Sequence, residues 1–317
     1  MQTDLIVSIS SRAKINLTLE VLGKRPDGYH ELRSFVAPLS LADKVECELT
    51  DGDIYTEMDI SKLGYEPDLE ICGTEDNLAT RAARALKEHC GVSQGAKIRI
   101  EKQIPIGAGL GGGSSNAAAA LIALDELWGT NCSQSDLLDI AAGIGCDVPA
   151  ILKGGTLLMQ GVGHDLEEVS IGDNSTDQGW WIVLINPCFS VCTADIYSRC
   201  TPSLTSDSQV YNNMRLALER GDVEVAAENL RNDLESAASG KYPLIGIMLD
   251  RLRECGTLGA ALSGSGATCF GLARSKEQAE AVADCVRDSL GEGFWVRVVQ
   301  TLPDGVMVAQ VTLTHSV

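Results

Sequence analysis

Between Lys97 and Trp128 the chain reads strand, glycine-rich turn, helix, and that order constrains the fold more than any other stretch. Lys97 to Ile104 (KIRIEKQI) alternates apolar and polar residues like a strand and runs into Pro105. Gly107-Ala108-Gly109-Leu110-Gly111-Gly112-Gly113-Ser114-Ser115 follows, and Asn116 to Trp128 (NAAAALIALDELW) is a strong helix former closed by Gly129. Glycines let a backbone approach a ligand closely, and the N–H groups of a helix's first turn have no intrahelical partner, so this arrangement collects donors around an anion. The helix dipole adds about 0.3–1 kcal/mol for a nearby negative charge. Ser114 and Ser115 supply hydroxyls that can bond phosphate oxygen or ligate Mg²⁺. Five glycines in seven positions would be a costly plain turn, because each loses more conformational entropy on ordering than another residue would. The stretch reads as a phosphate cradle.

Gly107, Gly109 and Gly112 also satisfy G-x-G-x-x-G, the dinucleotide fingerprint. That fold needs an acid about 20 residues on, at the end of the next strand, whereas Asp125 and Glu126 sit on the same helix as the loop. No Gly-Lys-Ser or Gly-Lys-Thr closes the loop as in a Walker A motif, and the protein-kinase signatures His-Arg-Asp and Asp-Phe-Gly are absent. A different class of phosphate-binding fold is required.

At 317 residues the chain has room for two domains with substantial cores. A net charge of −19 argues against nucleic acid or an anionic membrane as partner, since both demand a basic face. Within that anionic chain, Ser11 to Arg33 carries Arg12, Lys14, Lys24, Arg25 and Arg33 against Glu20, Asp27 and Glu31, a candidate site for an anionic ligand. The 11 cysteines include no CxxC pair, so neither a disulfide framework nor a zinc site is expected. With no signal-peptide pattern and no apolar run near the roughly 20 residues that span a bilayer, free thiols in a reducing cytoplasm are the expectation.

Ile6 to Leu22 alternates like two strands or one bent strand, interrupted by Ser10 to Lys14. The turn Pro26-Asp27-Gly28 places Tyr29 and His30 just beyond a loop tip. Asp76 to Cys90 is a helix stopped by Gly91, and Ser133 to Ile144 another, capped by Ser133 or Ser135. The polar stretch Ile171 to Gly179 reads as a linker, dividing the chain into residues 1–170 and 171–317. The second half offers a strand at Trp180 to Ile185, helices at Asp222 to Glu235, Pro243 to Glu254 and Lys276 to Leu290, a strand pair around Ser263 to Gly266, and a strand at Phe294 to Val299. The mixture is an α+β protein.

Three motifs stand in order: Ala13-Lys14-Ile15-Asn16-Leu17, Pro105 to Asn116, and Leu262-Ser263-Gly264-Ser265-Gly266-Ala267. On these the chain resembles the galactokinase, homoserine kinase, mevalonate kinase and phosphomevalonate kinase (GHMP) superfamily. Longer stretches look like the 4-diphosphocytidyl-2-C-methyl-D-erythritol kinases within it: AKINLTLEVLGKRPDGYHEL (Ala13 to Leu32), EDNLATRAARAL (Glu75 to Leu86), GLGGGSSNAA (Gly109 to Ala118) and GCDVPAIL (Gly145 to Leu152). The segment Asn186 to Ala194 departs from the family's glycine-bearing, proline-rich pattern. The resemblance implies a two-domain GHMP kinase architecture, with an N-terminal ribosomal-protein-S5-domain-2-like nucleotide-binding domain and a C-terminal ferredoxin-like α/β sandwich. It implies transfer of the γ-phosphoryl group of ATP, with Mg²⁺, to the 2-hydroxyl of a diphosphocytidyl-methylerythritol, a small-molecule substrate of the non-mevalonate isoprenoid pathway.

Phosphoryl transfer asks mainly for positioning and charge stabilisation. By resemblance, Asp147 orients or deprotonates the acceptor hydroxyl; read alone, it is a helix N-cap before Val148-Pro149. Lys14 would contact Asp147 and the hydroxyl and stabilise developing alkoxide charge, where an ordinary strand lysine is simply solvated. Asn16, Tyr29, His30, Thr193 and Tyr197 fall where family members hold substrate. Tyr29 and Tyr197 would sandwich the cytosine and His30 bond its edge; alone, His30 is a surface residue after a turn. Asn77 matches an adenine contact or is a first-turn helix residue, and Lys102 reaches nucleotide phosphate or faces solvent. Pro105, Ile106, Gly107, Ala108, Gly109, Leu110, Gly111, Gly112, Gly113, Ser114, Ser115 and Asn116 would hold ATP. Ser263, Gly264, Ser265 and Gly266 form an active-site loop, or a plain hairpin. Mg²⁺ has no dedicated ligand beyond Ser114 or Ser115. Two other readings stay open: a GHMP kinase for homoserine or mevalonate, and a catalytically silent nucleotide-binding regulator. The chain is taken as a monomer or weak homodimer.

Overall fold

Alternation along Ile6 to Leu22 resolves into two strands bent at Leu17, whose backbone N–H bonds Phe35 O at 2.8 Å. The computed structural model describes residues 5–67, 77–169, 172, 179–200, 208–302 and 309–310. The linker reading at 171–179 falls outside these apart from Gly172 and Gly179, as do Glu75 and Asp76.

Among the described residues the first half supplies seven strands of a nine-stranded sheet covered by helices. Its strands are β1 (Ile6–Asn16), β2 (Thr18–Lys24), the 21-residue β3 (His30–Thr50), β4 (Ile54–Asp59), β5 (Gly95–Glu101), β6 (Leu157–Gly161) and β7 (Asp165–Glu168). Between them lie α1 (Leu78–Cys90), α2 (Gly112–Trp128), α3 (Gln134–Ile144) and α4 (Val148–Lys153). The long β3 organises the sheet, pairing antiparallel with β1 along most of its length, with β2 and β6 near its start and with β5 near its end. The inward residues of β1, β3 and β5 (Val7, Ile9, Val45, Ile98, Ile100) meet Ala82, Leu86, Leu121 and Leu124 of α1 and α2. Burying one such isoleucine contributes about 1.5–3 kcal/mol, and the fully buried alanine run Ala117 to Ala120 lets α2 lie close to the sheet. Caps follow the sequence: Asn77 Oδ1 accepts from Ala79 N, Gly91 turns left-handed at φ 65°, and Ser133 with Asp136 forms a capping box.

The second half comprises β8 (Trp181–Asn186), α5 (Thr193–Arg199), α6 (Ser208–Arg220), α7 (Val223–Glu228), β9 (Arg231–Asn232), α8 (Glu235–Lys241), α9 (Pro243–Glu254), β10 (Gly259–Leu262), β11 (Cys269–Ala273), α10 (Lys276–Leu290), β12 (Trp295–Gln300) and β13 (Ala309–Gln310). An antiparallel sheet runs β10-β11-β8-β12. Alternation along β8 serves two cores: Val183 and Ile185 pack with Met248, Leu252, Val282 and Val286 of α9 and α10, while Ile182 and Leu184 pack with Ile15, Leu17 and Phe35 of the first sheet. The halves also share strands, because β9 adds parallel to β2 and β13 antiparallel to β1.

Three expectations change. The single helix over Asp222 to Glu235 is broken: α7 stops at Glu228 so that Arg231 and Asn232 can pair with β2, and the Asn232 amide bonds Leu262 O and Gly264 O. Helix α2 begins at Gly112, four residues ahead of Asn116, so part of the glycine run is its first turn. The cysteines are not all free thiols. Cys255, which ends α9, is disulfide-bonded to Cys285 on the adjacent α10, a pairing that their separation of 30 residues does not advertise. Among the described residues no helix is long and apolar enough to cross a membrane.

Candidate active site

The turn from β5 into the glycine loop is fixed from beneath by Asp43, whose Oδ1 accepts from Gln103 N at 2.7 Å and Ile104 N at 2.8 Å. The other oxygen of the Asp43 carboxylate pairs with the Lys102 ammonium, and both side chains are buried. Lys102 is therefore not a solvent-facing strand lysine. Its Nζ would lie 3.2 Å from a Cβ placed on Gly112, at the start of α2. Breaking such a buried pair costs about 3–5 kcal/mol, which keeps the cation there.

Four further contacts tie the loop to distant segments. Lys14 N donates to Leu110 O at 2.9 Å, where a bulge in β1 frees that group from the ladder. Val191 N bonds Gly107 O at 3.2 Å, Thr268 N bonds Ala108 O at 3.1 Å, and Ser263 Oγ bonds Gly109 O at 2.9 Å. At Gly109, with φ 78°, a Cβ would stand 2.1 Å from Ser263 O, so only glycine allows the two backbones to touch. Gly111 occupies the N-cap of α2 with no side-chain cap, which leaves the first-turn N–H groups without a capping side chain.

These elements wall a cavity of about 1150 Å³. Every residue from Pro105 to Asn116 lines it except Leu110, which packs in the core, and Ser115. Ser115 is corrected as a metal ligand: its hydroxyl is buried, donating to Arg12 O at 2.6 Å and accepting from Ser11 Oγ at 2.9 Å, which leaves Ser114. Lys14, Asn16, Tyr29, His30, Asn77, Lys102, Asp147, Thr193, Tyr197, Gly264 and Ser265 all reach the cavity. Ser263 and Gly266 do not line it; they hold the hairpin beneath. Asn77 spends Oδ1 on its cap, leaving its amide nitrogen for a ligand.

Lys14 Nζ lies 3.2 Å from Asp147 Oδ2 and donates to Asn16 Oδ1 at 2.7 Å; Asn16 Nδ2 in turn donates to Ser34 Oγ at 2.8 Å. Asp147 stands at the N-cap of α4 but makes no side-chain cap bond, its carboxylate turning to Lys14 instead. At that separation the attraction is about 5 kcal/mol for an effective dielectric near 20, less for the solvent that reaches Asp147.

At the other end the His30 and Tyr197 rings meet, centroids 5.2 Å apart. Burial, and behind it the Lys24 ammonium, pull the His30 imidazole below its usual 6.5, so the ring is neutral near pH 7 and can both donate and accept. Burial first, then the Asp147 carboxylate, raise the Tyr197 phenol, which stays protonated. Tyr29 lines the cavity, 58% exposed, and the Thr193 and Ser265 hydroxyls bond each other at 2.9 Å.

Sequence reasoning passed over Asp43, which looks like one more acid in an acidic stretch, and Asn232, hidden in an assumed helix. It also passed over Tyr55, Met58 and Arg84 of β4 and α1, which join Asn77 in lining the cavity. An aspartate amid the apolar run of β3 was the one available signal.

The description "GHMP kinases N terminal domain" matches residues 77–155, and "GHMP kinases C terminal" matches 214–292. The chain is 39% identical over 284 residues to a 4-diphosphocytidyl-2-C-methyl-D-erythritol kinase of Pelotomaculum thermopropionicum, covering 88% of this chain and 93% of that protein. With the Synechococcus sp. protein of that name the identity is 36% over 310 residues, covering 95% and 96%. A solved 4-(cytidine 5'-diphospho)-2C-methyl-D-erythritol kinase superposes with TM-score 0.72 at 32% identity, covering 92% of this chain and 99% of that one. Homoserine kinase from Cytophaga hutchinsonii gives the same TM-score of 0.72 at 20% identity, a likeness of fold.

Proposed function

Because the chain belongs to the 4-diphosphocytidyl-2-C-methyl-D-erythritol kinase family of GHMP kinases, we propose that it phosphorylates the 2-hydroxyl of 4-diphosphocytidyl-2-C-methyl-D-erythritol with ATP, giving the 2-phosphate and ADP in non-mevalonate isoprenoid precursor synthesis. The observation that carries this reading is the Lys14–Asp147 pair, 3.2 Å apart in a cavity with a phosphate cradle at one end and His30 with Tyr197 at the other.

The chemistry follows from that placement. Backbone N–H groups at the start of α2 and the Lys102 ammonium receive the ATP phosphates, and the adenine sits by Asn77. The acceptor hydroxyl lies at Lys14 and Asp147. Its oxygen bonds to the γ-phosphorus as the bond to the ADP oxygen breaks, Asp147 orients the hydroxyl or takes its proton, and Lys14 stabilises charge on the oxygen. Tyr29, His30 and Tyr197 hold the cytosine, while Asn16 and Thr193 contact the methylerythritol part. A bound magnesium would supply positive charge to offset that on the nucleotide phosphates. The Ser114 hydroxyl and the Asp147 carboxylate suit a hard cation. Among the described residues no cluster of three His, Cys, Asp or Glu forms a dedicated cage. The reading assigns residues 1–170 to nucleotide binding and 171–317 to completing the acceptor side, in a cytosolic monomer or weak homodimer.

Phosphorus NMR of the purified protein with ATP and the diphosphocytidyl substrate tests it, the expected products being ADP and the 2-phosphate. Turnover of homoserine or mevalonate in its place would move the assignment to another acceptor. Tyr29→Ala with His30→Ala discriminates further: unchanged substrate affinity would remove the cytidine pocket.

A further inference from the structure

We propose that Ser34 is a positioning residue: it dictates which end of the Asn16 amide faces Lys14, and so aims the Lys14 ammonium at the acceptor. Ser34 sits on β3 with no exposed surface, Asn16 is 1% exposed and Lys14 6%. Four buried groups form a chain. Ser34 Oγ lies 2.6 Å from Thr18 O and 2.8 Å from Asn16 Nδ2, and Asn16 Oδ1 lies 2.7 Å from Lys14 Nζ.

The polarity of this chain has only one solution. Thr18 O is a backbone carbonyl and can only accept, so the single Ser34 hydroxyl hydrogen is spent on it. Ser34 Oγ is then purely an acceptor towards Asn16 and selects the NH₂ end of the amide. The carbonyl end must face Lys14, whose ammonium can only donate. An inverted amide would set NH₂ against NH₃⁺ and place Oδ1 against a hydroxyl oxygen with no hydrogen left, two buried mismatches at once.

The consequence reaches the chemistry. Of three N–H groups on Lys14, one goes to Asn16 and one to Asp147 at 3.2 Å, leaving the third for the incoming oxygen. An ammonium on a flexible stem holds that direction only while both partners are fixed. Asp147 is fixed by α4, and Asn16 by Ser34.

The test compares Ser34→Ala, which deletes the acceptor, with Ser34→Thr, which keeps it. The kinetic arm rests on the proposed reaction. Ser34→Ala lowers kcat about 10- to 100-fold, with the KM for ATP within about twofold of wild type, and Ser34→Thr recovers most of the loss. A loss shared equally between kcat and the KM for ATP, or one that Ser34→Thr does not recover, marks loosened packing and overturns the proposal.

A second arm needs no turnover. In ¹⁵N-labelled wild type the two Asn16 Nδ2 hydrogens exchange with solvent at unequal rates, the one on Ser34 slower, and Ser34→Ala speeds it at least about tenfold. Equal, fast exchange of both hydrogens in wild type overturns the relay even if Ser34→Ala fails to fold. A wild type that keeps unequal exchange but never phosphorylates the diphosphocytidyl substrate overturns the proposed reaction and leaves the relay standing.

Discussion

Replacing Gly109 by alanine perturbs one atom's worth of space at the seam between the glycine loop and the β10–β11 hairpin. The added Cβ would stand 2.1 Å from Ser263 O, with Gly266 O at 3.0 Å and Gly266 N at 3.1 Å, on a backbone at φ 78°. The hairpin has no slack to retreat into, because Asn232 holds Leu262 O at 2.8 Å and Gly264 O at 2.7 Å from behind. The loops must part by about 1.3 Å to reach ordinary contact, sacrificing the Ser263–Gly109 and Thr268–Ala108 hydrogen bonds. Left-handed alanine and two lost bonds together come to about 2–5 kcal/mol, hence a melting temperature lower by roughly 3–8 °C for a chain of this size. A shift of that size at the phosphate end lowers kcat about 100-fold. Gly113→Ala is the internal control: the nearest atom to its Cβ is Leu78 Cδ1 at 3.6 Å, its φ is ordinary, and alanine favours the helix, so it melts at or above wild type. Thermal unfolding and coupled detection of ADP read both variants. Equal melting temperatures for the two, with wild-type kcat for Gly109→Ala, would refute the reasoning.

Asp147→Asn keeps the shape beside Lys14 but removes the charge; turnover is expected to fall about 10²- to 10⁴-fold while ATP affinity, measured by calorimetry, holds. An undiminished rate would take Asp147 out of the mechanism. The depressed His30 titration gives a signed pH dependence: the ring gains its proton only below 6.5, so the KM for the diphosphocytidyl substrate rises on acidification with a midpoint under that value. His30→Asn should flatten the profile, and a midpoint above 6.5 contradicts the burial argument. By linkage, the partly buried neutral ring makes folding less favourable below its folded-state titration, and that penalty fades as pH rises to 6.5. The Cys255–Cys285 bond closes a loop spanning 30 residues, so Cys285→Ser loses about 3–4 kcal/mol and melts earlier. Its kcat stays unchanged, since α9 and α10 pack on the second sheet rather than line the cavity.

The helices were legible where local chemistry marks both ends: Pro243 opens α9, Ser275 and Gly291 bracket α10, and Gly91 and Gly129 close α1 and α2. The strand–loop–helix geometry of the glycine run was legible because its parts lie next to one another in sequence. Lys14 and Asp147 were not legible as a pair from spacing, since 133 positions separate them; the resemblance supplied them and the cavity brings them together. The misread stretches share one cause. Asn232 leaves its helix for a tertiary bond to the hairpin, Ser115 turns inward to Ser11 and Arg12, and Asp43 serves the backbone of a segment 60 residues away. In each, a long-range hydrogen bond outweighed a local preference of a few tenths of a kcal/mol, and no periodicity records such a bond.

The seam at Gly109 makes one mechanical part out of two stretches of chain more than 150 residues apart. A change on either side has to be matched on the other, whatever acceptor the cavity serves. The turn between β2 and β3 carries no such obligation. Its bonds close on themselves, Arg25 N to Tyr29 O at 2.8 Å and Tyr29 N to Asp27 Oδ1 at 3.1 Å, while it presents Tyr29 to the cavity. Retooling this scaffold for another acceptor would begin at that turn, where residues can be exchanged without the catalytic floor registering it.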